Sequence, residues 1–170
     1  LDVKTLKKAM KDTKEARWWR IFKSAKYVEE NFETSKDQII ALYNKQGFRN
    51  ARIVQDSLYR MADGQVGLAL QIHEGNPFYF GEITFTGNTK YRSSQLDSIL
   101  GIQTGDIYDL ERLETRVYMD PKGMDLSSLY QDDGYLTFQA IPVESRIEND
   151  TIDLEIRMLE GKQFRIGRVI

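Results

Sequence analysis

The chain has 170 residues, 41% of them hydrophobic and 29% charged, and a formal net charge of −2, which is the composition of one or two small globular domains. It has no cysteine and a single histidine, His73, so disulfides and thiolate metal sites are excluded and imidazole chemistry would depend on one residue. No apolar run approaches the length of a membrane-spanning helix, and the start at Leu1 without Met predicts a fragment of a longer protein.

The N-terminal segment is basic and aromatic. Its first 26 residues contain nine lysines and arginines against three acidic residues, which predicts either a contact with an anionic partner or a solvated helix face. Trp18 and Trp19 stand between Arg17 and Arg20. Exposed aromatic side chains in this setting are a candidate surface for a partner protein or lipid head groups, and packing at a domain junction is the alternative.

The next segment, residues 35–47, predicts a helix and its end. Ser35 and Gln38 have the spacing of a capping box at a helix start. Gly47, in "LYNKQGF", is placed to end the helix, because the closing residue adopts a positive φ that glycine tolerates. An apolar stripe lies between these signals, formed by Ile39, Ile40, Leu42 and Tyr43.

A hairpin is predicted after Gly47. Two β-rich runs, "FRNARIVQDSLYRM" and "VGLALQIHEG", flank the turn "ADGQ". Leu68, Leu70 and Ile72 alternate along the second run, which predicts that they share one face of the sheet.

The same order of signals recurs about 86 residues later. "LYQDDGY", residues 129–135, repeats the helix end, and a second hairpin is predicted around "ENDT". Ser93 or Ser94 is predicted to cap a short helix, and Asp109 a second one that Pro121 interrupts and Asp125 caps again. The predicted elements of this copy are a strand at 79–87, helices at 93–100 and 109–132, and strands at 136–146 and 151–160.

The repeat predicts an α+β protein made of tandem βααββ modules. Each would be a two-layer unit, with a three-stranded mixed sheet and two helices on one face. The predicted division is residues 1–75 as a module without its first strand, 76–161 as a complete module, and 162–170 as the first strand of a following one. Phe164 and Gly167 in that last segment match Phe78 and Gly81 one repeat earlier.

The complete module resembles the POTRA domain. The stretches that carry the resemblance are "GEITFTGNTKY", "SQLDSILGIQTGDIYD", "LYQDDGYLTFQAIPVE" and "IDLEIRMLEGKQFRIGRVI". The resemblance is strong over residues 79–170 and good over residues 34–78. The resemblance implies a parent of the BamA type, an outer-membrane β-barrel assembly factor of the surface antigen family. The implied partners are unfolded outer-membrane proteins and accessory assembly lipoproteins at the periplasmic face of the outer membrane, where a barrel absent from this chain would anchor the parent. A two-partner secretion transporter is the alternative parent.

The resemblance also implies a binding mode. In the family the closing strand is central and the second strand is an edge, and Pro142 agrees with this because proline is tolerated where no ladder bond is needed. An edge can accept an extended client chain by β-augmentation. The candidate edges are residues 51–59 and 136–146, and we favour the first because Pro142 interrupts the second. The candidate binding residues are Arg52, Val54, Asp56, Leu58, Leu136 and Phe138. The alternative is that charges and Pro142 merely protect both edges.

Sequence signals for functions of other classes are weaker. "GQVG", residues 64–67, has the letters of the loop with which a KH module binds nucleic acid, but it lies at a hairpin turn without basic neighbours. No catalytic set, phosphate loop or metal spacing is present, so we expect no enzyme activity, no cofactor, no metal and no nucleic-acid partner. The tail, residues 163–170, could fill the missing first strand of another copy, which predicts a strand-swapped oligomer.

Overall fold

A computed structural model describes residues 29–60, 66–165 and 167 of the chain. The described residues belong to two units, which are divided between Asn76 and Pro77. None of the helices in these described ranges combines the length and apolar composition needed to cross a membrane.

The first unit places one helix against a hairpin. Helix α1 spans Glu29–Lys45, and the antiparallel strands β1 and β2 span Arg52–Arg60 and Val66–His73. Among the described side chains its buried core contains Ile39, Tyr43 and Ala51, with Ile40, Phe48, Leu70 and Ile72 packed against it. Leu70 and Ile72 therefore share the face that the alternation predicted, while the side chain of Leu68 lies outside the described ones.

The predicted start of this helix is wrong. Ser35 lies inside α1, which is already helical at Glu29, the first residue described there. The residues from Glu29 to Thr34 contain neither proline nor glycine and include three glutamates, which favour helix. Nothing in them therefore prevents the helix from beginning before Ser35.

The second unit contains a three-stranded mixed sheet covered by helices. Its elements in chain order are β3 Tyr79–Thr86, α2 Ser93–Leu100, α3 Leu110–Tyr118, α4 Leu126–Asp132, β4 Gln139–Glu148 and β5 Thr151–Leu159. Strand β5 is central, parallel to β3 and antiparallel to β4. This order confirms the predicted fold class, and β4 is an edge as the resemblance implied.

The core of the second unit forms between one sheet face and the helices. Alternate residues of β5 are buried in it, namely Ile152, Leu154, Ile156 and Met158. The helices contribute Leu96, Leu100, Leu113, Val117, Leu126 and Tyr130 to the same cluster. All these helices therefore lie on one face of the sheet, as predicted.

Local capping chemistry sets most helix boundaries in this unit. Asp109 accepts a hydrogen bond from the Arg112 backbone N–H at 3.1 Å, and Asp125 accepts one from Ser128 at 2.8 Å, so both predicted caps are confirmed. Helix α2 differs, because Ser93 is its first helical residue and Arg92 precedes it as the cap. Gln95 accepts from the Arg92 backbone N–H at 3.1 Å, which satisfies that donor without a serine cap.

Candidate functional site

The corner that leads into each candidate edge strand has the same geometry in both units. Gly47 has a φ of 86° and Gly134 a φ of 88°, the left-handed conformation predicted for a helix stop. After each glycine the chain turns back, and the backbone N–H of Phe48 donates to Tyr43 O at 3.0 Å. The equivalent bond in the second unit, Tyr135 to Tyr130, is also 3.0 Å long.

Aromatic contacts fix the corner in both units. The rings of Tyr43 and Phe48 meet edge to face at 5.8 Å, and those of Tyr130 and Tyr135 at 5.7 Å. Such pairs stabilise a fold by about 0.5–1.5 kcal/mol beyond their burial. The corner therefore determines the direction in which β1 or β4 leaves the helix.

At each corner a tyrosine–glutamate hydrogen bond connects the last turn of the helix to the residue that follows the second strand of the hairpin. The Tyr43 hydroxyl donates to Glu74 Oε1 at 2.5 Å, and the Tyr130 hydroxyl donates to Glu160 Oε1 at 2.8 Å. Burial and the glutamate partner raise the pKa of Tyr43 to about 12, and the same causes raise the pKa of Tyr130. The sequence patterns did not predict this pair, although each glutamate precedes a matched repeat glycine.

In the second unit the glutamate also holds the loop that follows β3. The backbone N–H groups of Thr89 and Lys90 donate to Glu160 Oε1 at 2.8 and 2.9 Å, and the Thr89 hydroxyl donates to Oε2. Burial alone would raise the pKa of Glu160, but these hydrogen bonds and the one from Tyr130 outweigh burial and lower it. One carboxylate thus connects the helix corner, the loop after β3 and the end of β5.

Strand β1 is the first candidate edge. Within the described ranges it pairs only with β2, so its other side has no strand partner there. The register shifts between Ile53 and Gln55, which places a bulge at Val54, a residue that is 50% exposed. Because a bulge changes the phase of alternation, Arg52 and Asp56 do not share a face as they would in a regular strand.

A lysine of α1 reaches across to β1. Asp56 lies opposite Leu70, on the side of the sheet that faces the helix, and Lys36 Nζ donates to its Oδ2 at 2.9 Å. The same Nζ lies 2.7 Å from Glu33 Oε1. Hydrogen bonds from Glu33 and Asp56 raise the pKa of Lys36. The Asp56 carboxylate is therefore already engaged by the protein's own lysine.

Strand β4 is the second candidate edge. Among the described strands it pairs with β5 alone, and Pro142 lies opposite Ile156 in the middle of this ladder. The register shifts between Glu144 and Arg146, and the intervening Ser145 donates its hydroxyl hydrogen to Asp153 O at 3.2 Å. A proline and a bulge therefore interrupt this edge, whereas β1 has a bulge but no proline.

Two residues predicted to lie on the second edge precede it instead. Strand β4 begins at Gln139, so Leu136 and Phe138 belong to the turn before it. Phe138 is buried and stacks on Tyr130 with ring centroids 4.0 Å apart and planes within 5°. This packing directs the Phe138 ring into the core, where no client could reach it. Leu136 is 64% exposed.

The solvent-facing side of this sheet carries apolar residues that were not among the predicted binding residues. Ile141 of β4 is 43% exposed and Leu159 of β5 is 55% exposed. Leu159 pairs with Gln139, two residues before Ile141, so the two apolar side chains are diagonal neighbours on one face. An alternation count along β4 would have found Ile141, because it is out of phase with the buried Ala140.

Several predicted residues lie outside the described ones. Trp18 and Trp19 fall in residues 1–28, and of Leu58 only the backbone, opposite Leu68, is described. Of the "GQVG" letters, Gly67 lies in β2 opposite Tyr59 and not in a loop between helices, as a KH module would require. No group of side chains in the described residues has the composition of a metal site.

Comparisons with known proteins identify the second unit. Residues 78–161 match POTRA, the family described as surface antigen variable number repeat. No curated protein matches the chain significantly in sequence. Among solved structures, POTRA domains 3–5 of BamA from Haemophilus influenzae align over 96% of this chain and 62% of theirs, with a TM-score of 0.58 and 16% identity.

A second structure has the same fold. BamA from Haemophilus ducreyi lacking POTRA domains 1–3 aligns over 78% of this chain and 23% of its own, with a TM-score of 0.52 and 16% identity. The chain thus spans less than two thirds of either protein. Residues 78–161, just under half of the chain, thus match the POTRA family model, and the fold is similar to that of BamA POTRA domains.

Proposed function

We propose that the chain is a periplasmic interaction region of an outer-membrane β-barrel assembly factor. The match of residues 78–161 to the POTRA family model and the fold shared with POTRA domains of BamA proteins support this proposal. Its role would be to bind protein partners, without catalysis, at the periplasmic face of the outer membrane. The partners we propose are unfolded outer-membrane proteins and accessory assembly lipoproteins.

The observation that supports client binding best is the one-sided pairing of β1. From Gln55 to Arg60 the strand pairs with β2 without interruption and contains no proline. An edge of this kind offers backbone N–H and C=O groups to an extended chain, with little demand on the sequence of that chain. Such a binding mode suits a set of clients whose barrel strands differ in sequence.

The corner and the Lys36–Asp56 contact support the same strand. The Tyr43–Phe48 pair fixes its entry, and Lys36 connects its middle to α1, so the edge is held in an extended shape before any client arrives. A preformed edge lowers the entropy cost of binding a flexible partner. Strand β4 is a second, weaker acceptor because Pro142 removes one backbone donor.

Site-specific photo-crosslinking in cells tests this proposal. A photoreactive amino acid is placed at Val54, Gln55 or Ser57 of the full-length protein, and at Asp97 on an exposed helix position as the matched control. We expect crosslinks to several different outer-membrane barrel proteins from β1 and none from Asp97. Equal capture from all positions, or none from β1, would contradict the proposal. Capture of one secreted substrate alone would favour the two-partner secretion alternative.

A further inference from the structure

The segment that follows β5 is attached to the corner between α4 and β4. The backbone N–H of Phe164 donates to Gly134 O at 2.8 Å, and the Gln163 side-chain amide donates to Asp133 O at 2.8 Å. Immediately before them, Glu160 accepts the hydroxyl hydrogen of Tyr130. The chain from residue 160 to 164 is therefore bound to the corner by both backbone and side-chain groups.

Two glycines make this close approach feasible. A Cβ built on Gly134 would lie 2.3 Å from the backbone oxygen of Phe164, and one built on Gly161 would lie 2.3 Å from Thr137 Oγ1. Both distances are below 3.0 Å, which is closer than a real Cβ approaches a non-bonded atom. The helix stop explains the positive φ of Gly134, but it does not explain why a backbone oxygen of the tail occupies the space of its side chain.

The ring of Phe164 remains exposed although its backbone is fixed. Its side chain is 51% exposed, whereas Phe78, which takes the same place one repeat earlier, packs against the core of the second unit. A ring that is exposed on a hydrogen-bonded backbone is available for another protein element to cover. The repeat indicates that this element is a further module of the same polypeptide, since Gly167 also matches Gly81.

We propose that residues 133–137 form an inter-domain joint, and that its partner is a βααββ module whose opening strand begins in residues 162–170 and whose core receives the ring of Phe164. The joint fixes the direction in which that module leaves the second unit, through the contacts of Gly134 with Phe164 and of Gly161 with Thr137. This role does not depend on whether β1 or β4 binds clients.

The joint is tested first in the 170-residue chain. Gly134→Ala is compared with Gly105→Ala, because Gly105 has a similar φ of 90° but a Cβ built there meets no atom within 4 Å. We expect hydrogen exchange at the Phe164 amide to accelerate at least tenfold in Gly134→Ala and to stay unchanged in Gly105→Ala. Spin labels at Ser98→Cys and Arg165→Cys, in a chain without native cysteine, should show a broadened distance distribution only in Gly134→Ala. If the two variants show the same exchange rate at the Phe164 amide and the same distance distribution, the proposed joint is overturned.

A second pair of variants leaves the buried core unchanged. Phe164→Pro removes the N–H that donates to Gly134, whereas Phe164→Ala keeps it, and both substitutions lie outside the core. We expect the label distance to broaden in Phe164→Pro and to remain narrow in Phe164→Ala. Narrow distributions in both variants would show that the tail is not held by this bond, and the joint would be rejected.

The partner is tested by thiol accessibility. A cysteine at Phe164 should react freely with a maleimide in the 170-residue chain and at least tenfold more slowly in the full-length protein, where the following module covers it. Met119→Cys is the control, since Met119 is 78% exposed and should react at the same rate in both. An equal rate for Phe164→Cys in the two chains would show that no module covers the ring, and would overturn the assignment of the partner even if the joint itself holds.

Discussion

The hydroxyl of Tyr130 in α4 donates to the Glu160 carboxylate at 2.8 Å, although the two residues are 30 positions apart. The first unit repeats this relationship with Tyr43 and Glu74. In each case the bond connects the last turn of a helix to the end of the hairpin's second strand. The edge strand follows that helix and pairs with that second strand, so the bond helps to fix the position of the edge strand.

Removing the hydroxyl of Tyr130 should weaken the second unit. In Tyr130→Phe the ring can still stack on Phe138, so the variant isolates one hydrogen bond to a carboxylate. Net contributions of this kind are about 1–3 kcal/mol, and we expect a loss of unfolding free energy in that range in urea titrations. Tyr135→Phe is the control, because its hydroxyl is not bonded to Glu160. A Tyr135→Phe variant as unstable as Tyr130→Phe would argue against the bond.

Glu160 should make the second unit sensitive to acid. Its pKa is lowered in the folded protein, so its contribution is fully present above the unfolded value of 4.5 and is lost as the pH falls through the folded value. Glu160→Gln should therefore lower stability by about 1–3 kcal/mol at pH 7 and flatten the decline below pH 4.5. Urea midpoints measured from pH 3 to 7 test this.

Part of the acid decline should survive in Glu160→Gln. The pKa of Asp133 is also lowered, mainly by hydrogen bonds from Lys90 and then Tyr91, and this carboxylate remains in the variant. Glu114→Gln on the exposed side of α3 removes a surface carboxylate as the control and should leave the urea midpoint at pH 7 unchanged. A Glu160→Gln profile parallel to the wild type over the whole range would refute the role of Glu160.

Phe138 and Leu136 should respond in opposite ways to truncation. Phe138 is buried against Tyr130, so Phe138→Ala should cost about 3–5 kcal/mol of unfolding free energy. Leu136 is 64% exposed, and Leu136→Ala should change stability by no more than about 0.5 kcal/mol. Denaturant titrations of both variants measure the difference. Similar losses at the two positions would mean that the turn before β4 is packed differently.

Local chemistry made the corners, the caps and the central strand predictable. The helix stops at Gly47 and Gly134 depend only on the tolerance of glycine for a positive φ. The caps Asp109 and Asp125 accept hydrogen bonds from backbone groups three residues away. The alternation in β5 reports its burial directly, because every second residue faces the helices. Each of these features depends on neighbours in the sequence.

The features that were missed depend on distant partners. The start of β4 was placed too early because "LTFQA" alternates like a strand, whereas the contact of Phe138 with Tyr130 holds these residues in a turn. The bulges at Val54 and Ser145 arise from pairing with another strand, which single-strand periodicity does not report. Lys36 was not selected because its partner Asp56 is 20 residues away.

Pro142 should limit the use of β4 as an acceptor. Within an edge strand proline is tolerated where its missing N–H would point away from the ladder, so Pro142→Val should restore an outward donor without loss of stability. One added backbone bond contributes about 0.5–1.5 kcal/mol, which corresponds to roughly 2- to 12-fold tighter binding of an extended peptide. Titration of a labelled peptide with the alternating pattern of a barrel strand measures this, and sedimentation velocity measures self-association through the same edge.

Pro121→Val, in the loop between α3 and α4, is the matched control and should change neither the peptide affinity nor the self-association. Unchanged affinity and self-association in Pro142→Val would show that this edge is not limited by the proline, and Ile141 and Leu159 on the adjacent face would then be the better place to seek the contact.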